Sequence, residues 1–349
     1  MTKQEIEYRN NPAVNQSLLC ALDNPKSIGT NSDKSHFRIG GAVDMLLTQP
    51  DEFDNEYLCV EASKVGGMMG TFIENLPTPI CDVSLIDPEE YRRAFDATNL
   101  KSYDATVKKF EADKDGLYKT YWQALSDADN SGKTLITSEQ LKTVQHCVDL
   151  LKSCEDVSTY FGNTNGFYQV PIYFKFSYSE MSEDDLNGKT FDVDGKALID
   201  GIIVDHDSKT VQPFDLKTSS DHPLSFVKSF MKWKYFIQAA WYQYAVEAYC
   251  HSKEGQKFLG VDYTYVVLPI QYIVVGKKHD YCPVIWDIPE NLLEGGMMGF
   301  EYKGRTYKGV VNRVSDYLWH IENNYWDMSK ELFDTNARQT LNIDIQLNN

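Results

Sequence analysis

No apolar run in this chain approaches the roughly 18–20 residues that a membrane-spanning helix needs, and the opening MTKQEIEYRNNPAV has no apolar stretch like that of a secretory signal. A cytoplasmic protein with no membrane partner is expected. The seven cysteines (Cys20, Cys59, Cys81, Cys147, Cys154, Cys250 and Cys282) are odd in number, scattered, and contain no C-x-x-C pair. That excludes a disulfide framework, and the want of clustered ligands excludes a structural zinc or an iron–sulfur cluster; buried free thiols are expected. Positive charge is also scarce, with 34 basic residues against 51 acidic and a net charge of −17. Nucleic-acid binding normally rests on a basic face, so any such site must be a local groove or depend on metal ions. Repeats and low-complexity tracts are missing. What remains is 349 residues at 42% apolar, 24% charged and 13% aromatic, a composition that folds around its own core.

The pattern divides near residue 165. Residues 1–165 read as mostly helical, and Thr137-x-x-Gln140 forms a capping box opening a helix with Leu141, Val144, Val148 and Leu151 on one stripe. Residues 166–349 begin with strand-like runs: QVPIYFKFSY, KALIDGIIV and TVQPFDLKT. The short polar turn DHDSK makes the last two adjacent antiparallel strands. One long amphipathic helix is expected at about 225–250, which holds no Pro or Gly. Strands follow in YTYVVLPIQYIVV and PVIWDI, then helices at about 289–300 and 311–328. The order predicts a mixed α/β (α+β) fold, a central mixed sheet flanked by helices, with both regions joined in one composite domain.

Two apparent motifs fail. DADNSG at 127–132 starts like a calcium-binding EF-hand loop, but position twelve, which should be a bidentate Glu, is Ser138. GKT occurs at 132–134 and 188–190, yet the upstream Gly of a phosphate loop is replaced by Asp127 and Glu183. No nucleotide cofactor is expected.

The chemistry concentrates in the hairpin. Alternate strand residues share a face, so Asp215 and Lys217 project together, and Asp200 is a lone carboxylate within the buried-looking run ALIDGIIV. Burying an acid there is costly without positive charge beside it. A hard divalent cation between Asp200 and Asp215 would satisfy both, and Mg²⁺ suits one or two carboxylates plus waters and phosphate, with Mn²⁺ a substitute. Lys217 would orient and help deprotonate a water, or stabilise developing charge. A structural ion pair among the same three residues is the plain alternative. Gln238 and Tyr242, four apart, share one face of the following helix.

Asp200, Asp215-Leu216-Lys217 and Gln238-x-x-x-Tyr242, in that order, resemble the PD-(D/E)XK nuclease superfamily in its RecB-like branch. VNQSLLCALDNPKSIG and HFRIGGAVDMLLTQPDEF resemble the N-terminal region of RecE-type exonucleases (exodeoxyribonuclease VIII), carried by phages and prophages. The likeness covers about 13–60 and 165–250. It implies that Asp200, Asp215 and the Leu216 carbonyl hold metal, that Lys217 is catalytic, and that Gln238 and Tyr242 position the site and DNA. The family's first-motif His, four residues after a Gly, is here Asp44 after Gly40, a competent hard-cation ligand. The Pro that gives the family its name is missing before Asp200. Gln169, opening the first strand, is a further site candidate or a strand-edge amide; Ser17 is a candidate for holding a DNA 5′-phosphate.

Lys217, Lys228, Lys232 and Lys234 are interleaved with Phe226, Phe230, Trp233 and Tyr235, and a second basic group spans Tyr302, Lys303, Arg305, Tyr307 and Lys308. Lysines with aromatics suit a DNA strand; they also suit the wet face of an amphipathic helix whose aromatics fill the core. The resemblance implies Mg²⁺-dependent 5′-to-3′ digestion of linear duplex DNA for recombination, a single-strand annealing protein as partner, and a homo-oligomeric ring. Two rivals fit the same residues: a single-strand, flap or internal nuclease with this core, and a DNA-binding scaffold without catalysis.

Overall fold

The computed structural model describes residues 3–28, 35–78, 82–179 and 190–338. Gly188, Lys189 and Cys81 lie outside the described residues. Of the strands, β1 (Tyr57–Val60) and β2 (Thr134–Thr137) pair in parallel on their own. The main sheet contains β3 (Gly166–Ser179), β4 (Thr190–Asp205), β5 (Thr210–Ser219), β6 (Val266–Val267), β7 (Gln271–Gly276) and β8 (Val284–Asp287), in the order β3-β4-β5-β7-β8 with β6 also beside β5. A small hairpin, β9 (Phe300–Tyr302) and β10 (Arg305–Tyr307), completes the set. The three expected strands β3, β4 and β5 form an antiparallel meander, whereas β5 and β7 run parallel, so the sheet is mixed.

The helices before the sheet are α1 (Lys3–Asn10), α2 (Gln16–Ala21), α3 (Ser35–Thr48), α4 (Phe53–Glu56), α5 (Gly67–Glu74), α6 (Pro88–Asp96), α7 (Tyr103–Ala112), α8 (Leu117–Asn130), α9 (Ser138–Ser153) and α10 (Glu155–Ser158). Those after β5 are α11 (Phe226–Lys232), α12 (Tyr235–His251), α13 (Lys253–Leu259), α14 (Glu290–Met298), α15 (Val310–Asn323) and α16 (Lys330–Asp334). None among the described residues is long and apolar enough to cross a membrane. The capping box of α9 forms as expected: the Gln140 backbone N–H donates to the Thr137 hydroxyl, and the Gln140 side chain accepts from the Thr137 backbone N–H. DADNSG ends α8, with Asp127 and Asp129 exposed.

β-branched and aromatic residues on both faces of β4, β5 and β7 leave the sheet apolar on two sides. One side packs on α12 through Trp241, Phe236, Ile237 and Tyr272; the other packs on α3 and α9 through Ala42, Val43, Val144 and Val148 against Phe214, Ile273 and Val275. That second core draws on both halves of the sequence. A third core, around Phe72, Phe110, Tyr121 and Trp122, belongs to α5–α8.

Two expectations need correction. The single helix at 225–250 is two: Lys234 adopts a left-handed conformation at φ 56°, ending α11 and starting α12. No Gly or Pro marks the break. Tertiary contacts impose it, since Lys234 is drawn to Asp23 and Tyr235 packs over Lys217. The cysteines are not uniformly buried either. Cys147 and Cys250 are, but Cys20 and Cys154 are half-buried and Cys59 and Cys282 exposed: Cys59 on the outward face of β1, Cys282 in the segment between β7 and β8.

The feature that positions the site is a fork. Pairing between β4 and β5 runs from Asp205–Thr210 to Gly201–Phe214 and stops, after which β4 continues along β3 and β5 along β7. Gly201 closes the last rung because a Cβ there would lie 2.0 Å from the Phe214 ring. Gly201→Ala should therefore wedge the strands apart and lower stability by roughly 1–3 kcal/mol, read as a reduced urea midpoint; an unchanged midpoint would show that Phe214 can move aside.

Candidate active site

Asp200 and Asp215 are the first residues beyond that last rung. Val211, Pro213, Asp215 and Lys217 alternate onto the α12 side of β5, so Asp215 meets α12 directly. It is only 2% exposed, and Lys217 forms an ion pair with its Oδ2. Its Oδ1 accepts a hydrogen bond from Gln238 Nε2 at 2.8 Å. Gln238 in turn accepts from the Tyr272 hydroxyl at 3.3 Å, and Tyr272 stands beside Asp215 in the β5–β7 ladder. Tyr242, one turn beyond Gln238, is also buried there, with its phenol pushed well above the usual range by burial and then by the Asp215 charge.

The Asp200 Oδ2 accepts from the Leu216 backbone N–H at 2.8 Å, across the fork. In a strand the N–H and C=O of one residue point to the same edge, so the Leu216 carbonyl faces the gap that Asp200 faces. Burial raises the Asp200 carboxyl to about 7, with the Asp215 charge adding to the rise; Lys217, the Leu216 N–H and the Gln169 side chain work against it. Burial also raises Asp215, opposed by Lys217 and Gln238. For Lys217, burial disfavours the charge, but Asp215, Tyr235 and Asp200 outweigh it and leave the ammonium state stabilised. Its Nζ lies 4.7 Å from the centre of the Tyr235 ring and 5.5 Å from that of Tyr272, an aromatic box around the cation. Two carboxylates thus share one ammonium.

Gln169 is brought into the site. It does not open its strand, as the sequence suggested, but lies inside β3, which begins three residues earlier at Gly166. The β3–β4 ladder skips Gln169 and Asp200, and Gln169 takes φ 49°, a sparsely populated conformation for such a side chain. This kink aims the amide at the fork: Nε2 donates to Asp44 Oδ2 at 2.7 Å, and the same side chain bonds Asp200. Asp44 reaches this point on α3, which lies against β5 at Gly40, where a Cβ would meet Thr218 Oγ1 at 3.5 Å. Gln169 therefore stands between Asp44 and Asp200. Among the described residues no three acids, histidines or cysteines form a group able to hold a metal.

The other candidates scatter. Lys228 and Lys232 are exposed on α11, with the Lys232 Nζ 4.6 Å over the exposed Trp233 ring, while Phe226 and Phe230 fill the core. Lys234 turns away to Asp23, which also pairs with Arg313 at 2.9 Å; burial and then Arg313 lower the Lys234 amine to about 8. Ser17 is exposed on α2, accepting from Gln16 at 2.9 Å. The second basic group caps the β9–β10 hairpin, with Tyr307 packed on Phe236 and Lys308 paired with Asp316 at 2.8 Å. Sequence reading missed Tyr272 as a site residue; its strand, QYIVV, carries no signal beyond burial, and only the ladder puts it opposite Asp215.

No family model matches the chain, and no curated protein does. Among solved structures it is similar to a "putative exonuclease" from Eubacterium rectale, at 15% identity over 86% of this chain and 96% of that one, with a TM-score of 0.32.

The raised Asp200 carboxyl has a direct consequence. In the folded protein it titrates near 7, against 3.8 for the ordinary value, so the folded state holds its proton more tightly. Stability contributed by the protonated form is present below about pH 4 and is lost as pH rises through about 7. Asp200→Asn keeps an acceptor for Leu216 but cannot ionise. In metal-free buffer it should be more stable than the parent at pH 8, on the order of 1–4 kcal/mol, with the advantage shrinking toward pH 5. Thermal melts at the two pH values check this; an equal difference at both would contradict the buried charge.

Proposed function

We propose that this chain is a metal-dependent deoxyribonuclease of RecE-like type that digests linear duplex DNA, 5′ to 3′, leaving a 3′ single strand for recombination. The observation that carries this reading is the fork: Asp200, Asp215 and the Leu216 carbonyl converge on one gap, Asp215 buried and Asp200 half-buried, with Lys217 the one cation among the described residues whose charge bears on both acids. This donor set fits a hard cation, since Mg²⁺ takes one or two carboxylates, carbonyl oxygen, water and phosphate rather than an all-protein cage. Asp200, Asp215 and Leu216 would hold it, with Asp44 reaching the site through Gln169. Bound there, Mg²⁺ would supply charge neutralisation at the phosphate and acidity for the attacking water.

The chain's own residues do the rest. Gln238 and Tyr272 fix Asp215 so that its carboxylate enters the fork in one orientation. The stabilised ammonium of Lys217 donates hydrogen bonds; it therefore orients the water and offsets charge growing on the phosphoryl oxygens, rather than accepting a proton. Attack in line with the leaving 3′-oxygen yields a 5′-phosphate. Lys228, Lys232 and Trp233 lie on the segment that leaves the site at Lys217 and returns at Tyr235. They supply the local positive, aromatic surface that a chain of net charge −17 needs to hold DNA. A ring of copies and an annealing protein as partner belong to the same proposal.

The test uses 5′-phosphorylated, end-labelled linear duplex and closed circular duplex, each with Mg²⁺ or EDTA. Linear DNA alone should be degraded, the 5′ label leaving first, and Lys217→Ala should slow this by roughly 100-fold or more. Cutting of the circle would favour an internal nuclease. Binding of DNA without cleavage in Mg²⁺ or Mn²⁺ would favour the scaffold reading and sink the exonuclease.

A further inference from the structure

The sulfurs of Cys154 and Cys282 lie 2.9 Å apart although the residues are 128 positions apart in sequence. Among the described residues no other two cysteine sulfurs touch. Cys154 sits at the junction of α9 and α10, half-buried against the α3–α9 core. Cys282 is exposed on the 277–283 segment between β7 and β8. The approach is built rather than incidental, because that segment is held from both sides. On the α9 side, His146 Nε2 stands 3.7 Å from Asp280. On the other, the Tyr281 ring packs at 4.5 Å on His222 and the His279 ring at 5.4 Å on the same imidazole.

We propose that Cys154 and Cys282 are a modification site, forming a reversible disulfide that staples the helical layer carrying Asp44 to the end of the sheet carrying Asp215 and Lys217. The placement gives the bond a structural effect. Lys277 N–H bonds the Ser219 carbonyl at 2.8 Å, so the segment starts where β5 ends, two residues beyond Lys217. Oxidation ties α9 to that end and, through the α3–α9 core, restrains the two sides of the fork relative to each other. The oxidant is a small-molecule disulfide. One cysteine thiolate attacks it, forming a mixed disulfide and releasing one small thiolate; the second cysteine thiolate then attacks the protein sulfur of that mixed disulfide, forming the Cys154–Cys282 bond and expelling the second small thiolate. Two electrons pass to the oxidant, and the two cysteine protons end on the two released thiols. Exposure of Cys282 gives the reagent access, whereas Cys147 and Cys250 are buried.

The test incubates the reduced full chain with oxidised glutathione, alkylates remaining thiols, and maps peptides without reductant, beside Cys282→Ser and Cys154→Ser. The expected result is one peptide pair joining Cys154 to Cys282, lighter by two hydrogens. The thermal midpoint should rise by roughly 5 °C, because the bridge closes a long loop in the unfolded chain. Dithiothreitol should reverse both changes. Cys282→Ser should keep glutathione on Cys154 and show no rise. Glutathione on both cysteines of the parent without a bridge, or a bridge that leaves the midpoint unchanged, would overturn the proposal. Neither readout depends on nuclease activity.

Discussion

Two carboxylates beside one ammonium, Asp215 buried and Asp200 half-buried, are the constraint around which the rest of this structure is arranged. Isolated, each acid would cost several kcal/mol to bury as an ion. The chain offsets part of that with Lys217, part with the Leu216 N–H, and part with the amides of Gln169 and Gln238. Among the described residues no cation besides Lys217 lowers either carboxyl, and burial raises Asp200 to about 7. A protein built only for stability would gain by replacing one acid with an apolar residue. Keeping both acids side by side, with burial raising both carboxyls, is the pattern of a candidate functional site.

The support reaches far into the fold. β4 and β5 must part after Gly201, which requires a residue without Cβ against Phe214. β7 must run parallel beside β5 to bring Tyr272 to Gln238. α12 must start at Tyr235, not earlier, so that the ring of that residue covers Lys217, and the left-handed turn at Lys234 meets this need at a backbone cost of about 1–3 kcal/mol. The kink at Gln169 is the matching strain on β3.

Much of this was legible in the sequence, for local reasons. Strand alternation put Asp215 and Lys217 on one face, the polar turn DHDSK made β4 and β5 neighbours, and helical spacing placed Gln238 with Tyr242. The capping box at Thr137 and Gln140 likewise follows from residues three apart. The rest depends on distant contacts. Lys234 carries no helix-breaking signal, since its turn is set by Asp23 and Lys217; Gln169 looks like a strand-edge amide until β4 lies beside it; and the meeting of Cys154 with Cys282 needs the whole sheet between them. Tyr272 reads as ordinary core because its partner is chosen by the parallel ladder rather than by its neighbours.

The fork is an acid pair with one ammonium, Lys217, to balance it among the described residues. Calorimetric titration of Mn²⁺ into the metal-free protein at pH 8, repeated with Asp215→Asn, measures this without DNA. A saturable binding event is expected for the parent, weaker at pH 6 where Asp200 holds its proton, and lost in Asp215→Asn. Binding that is absent from the parent, or unchanged by the substitution, would contradict it.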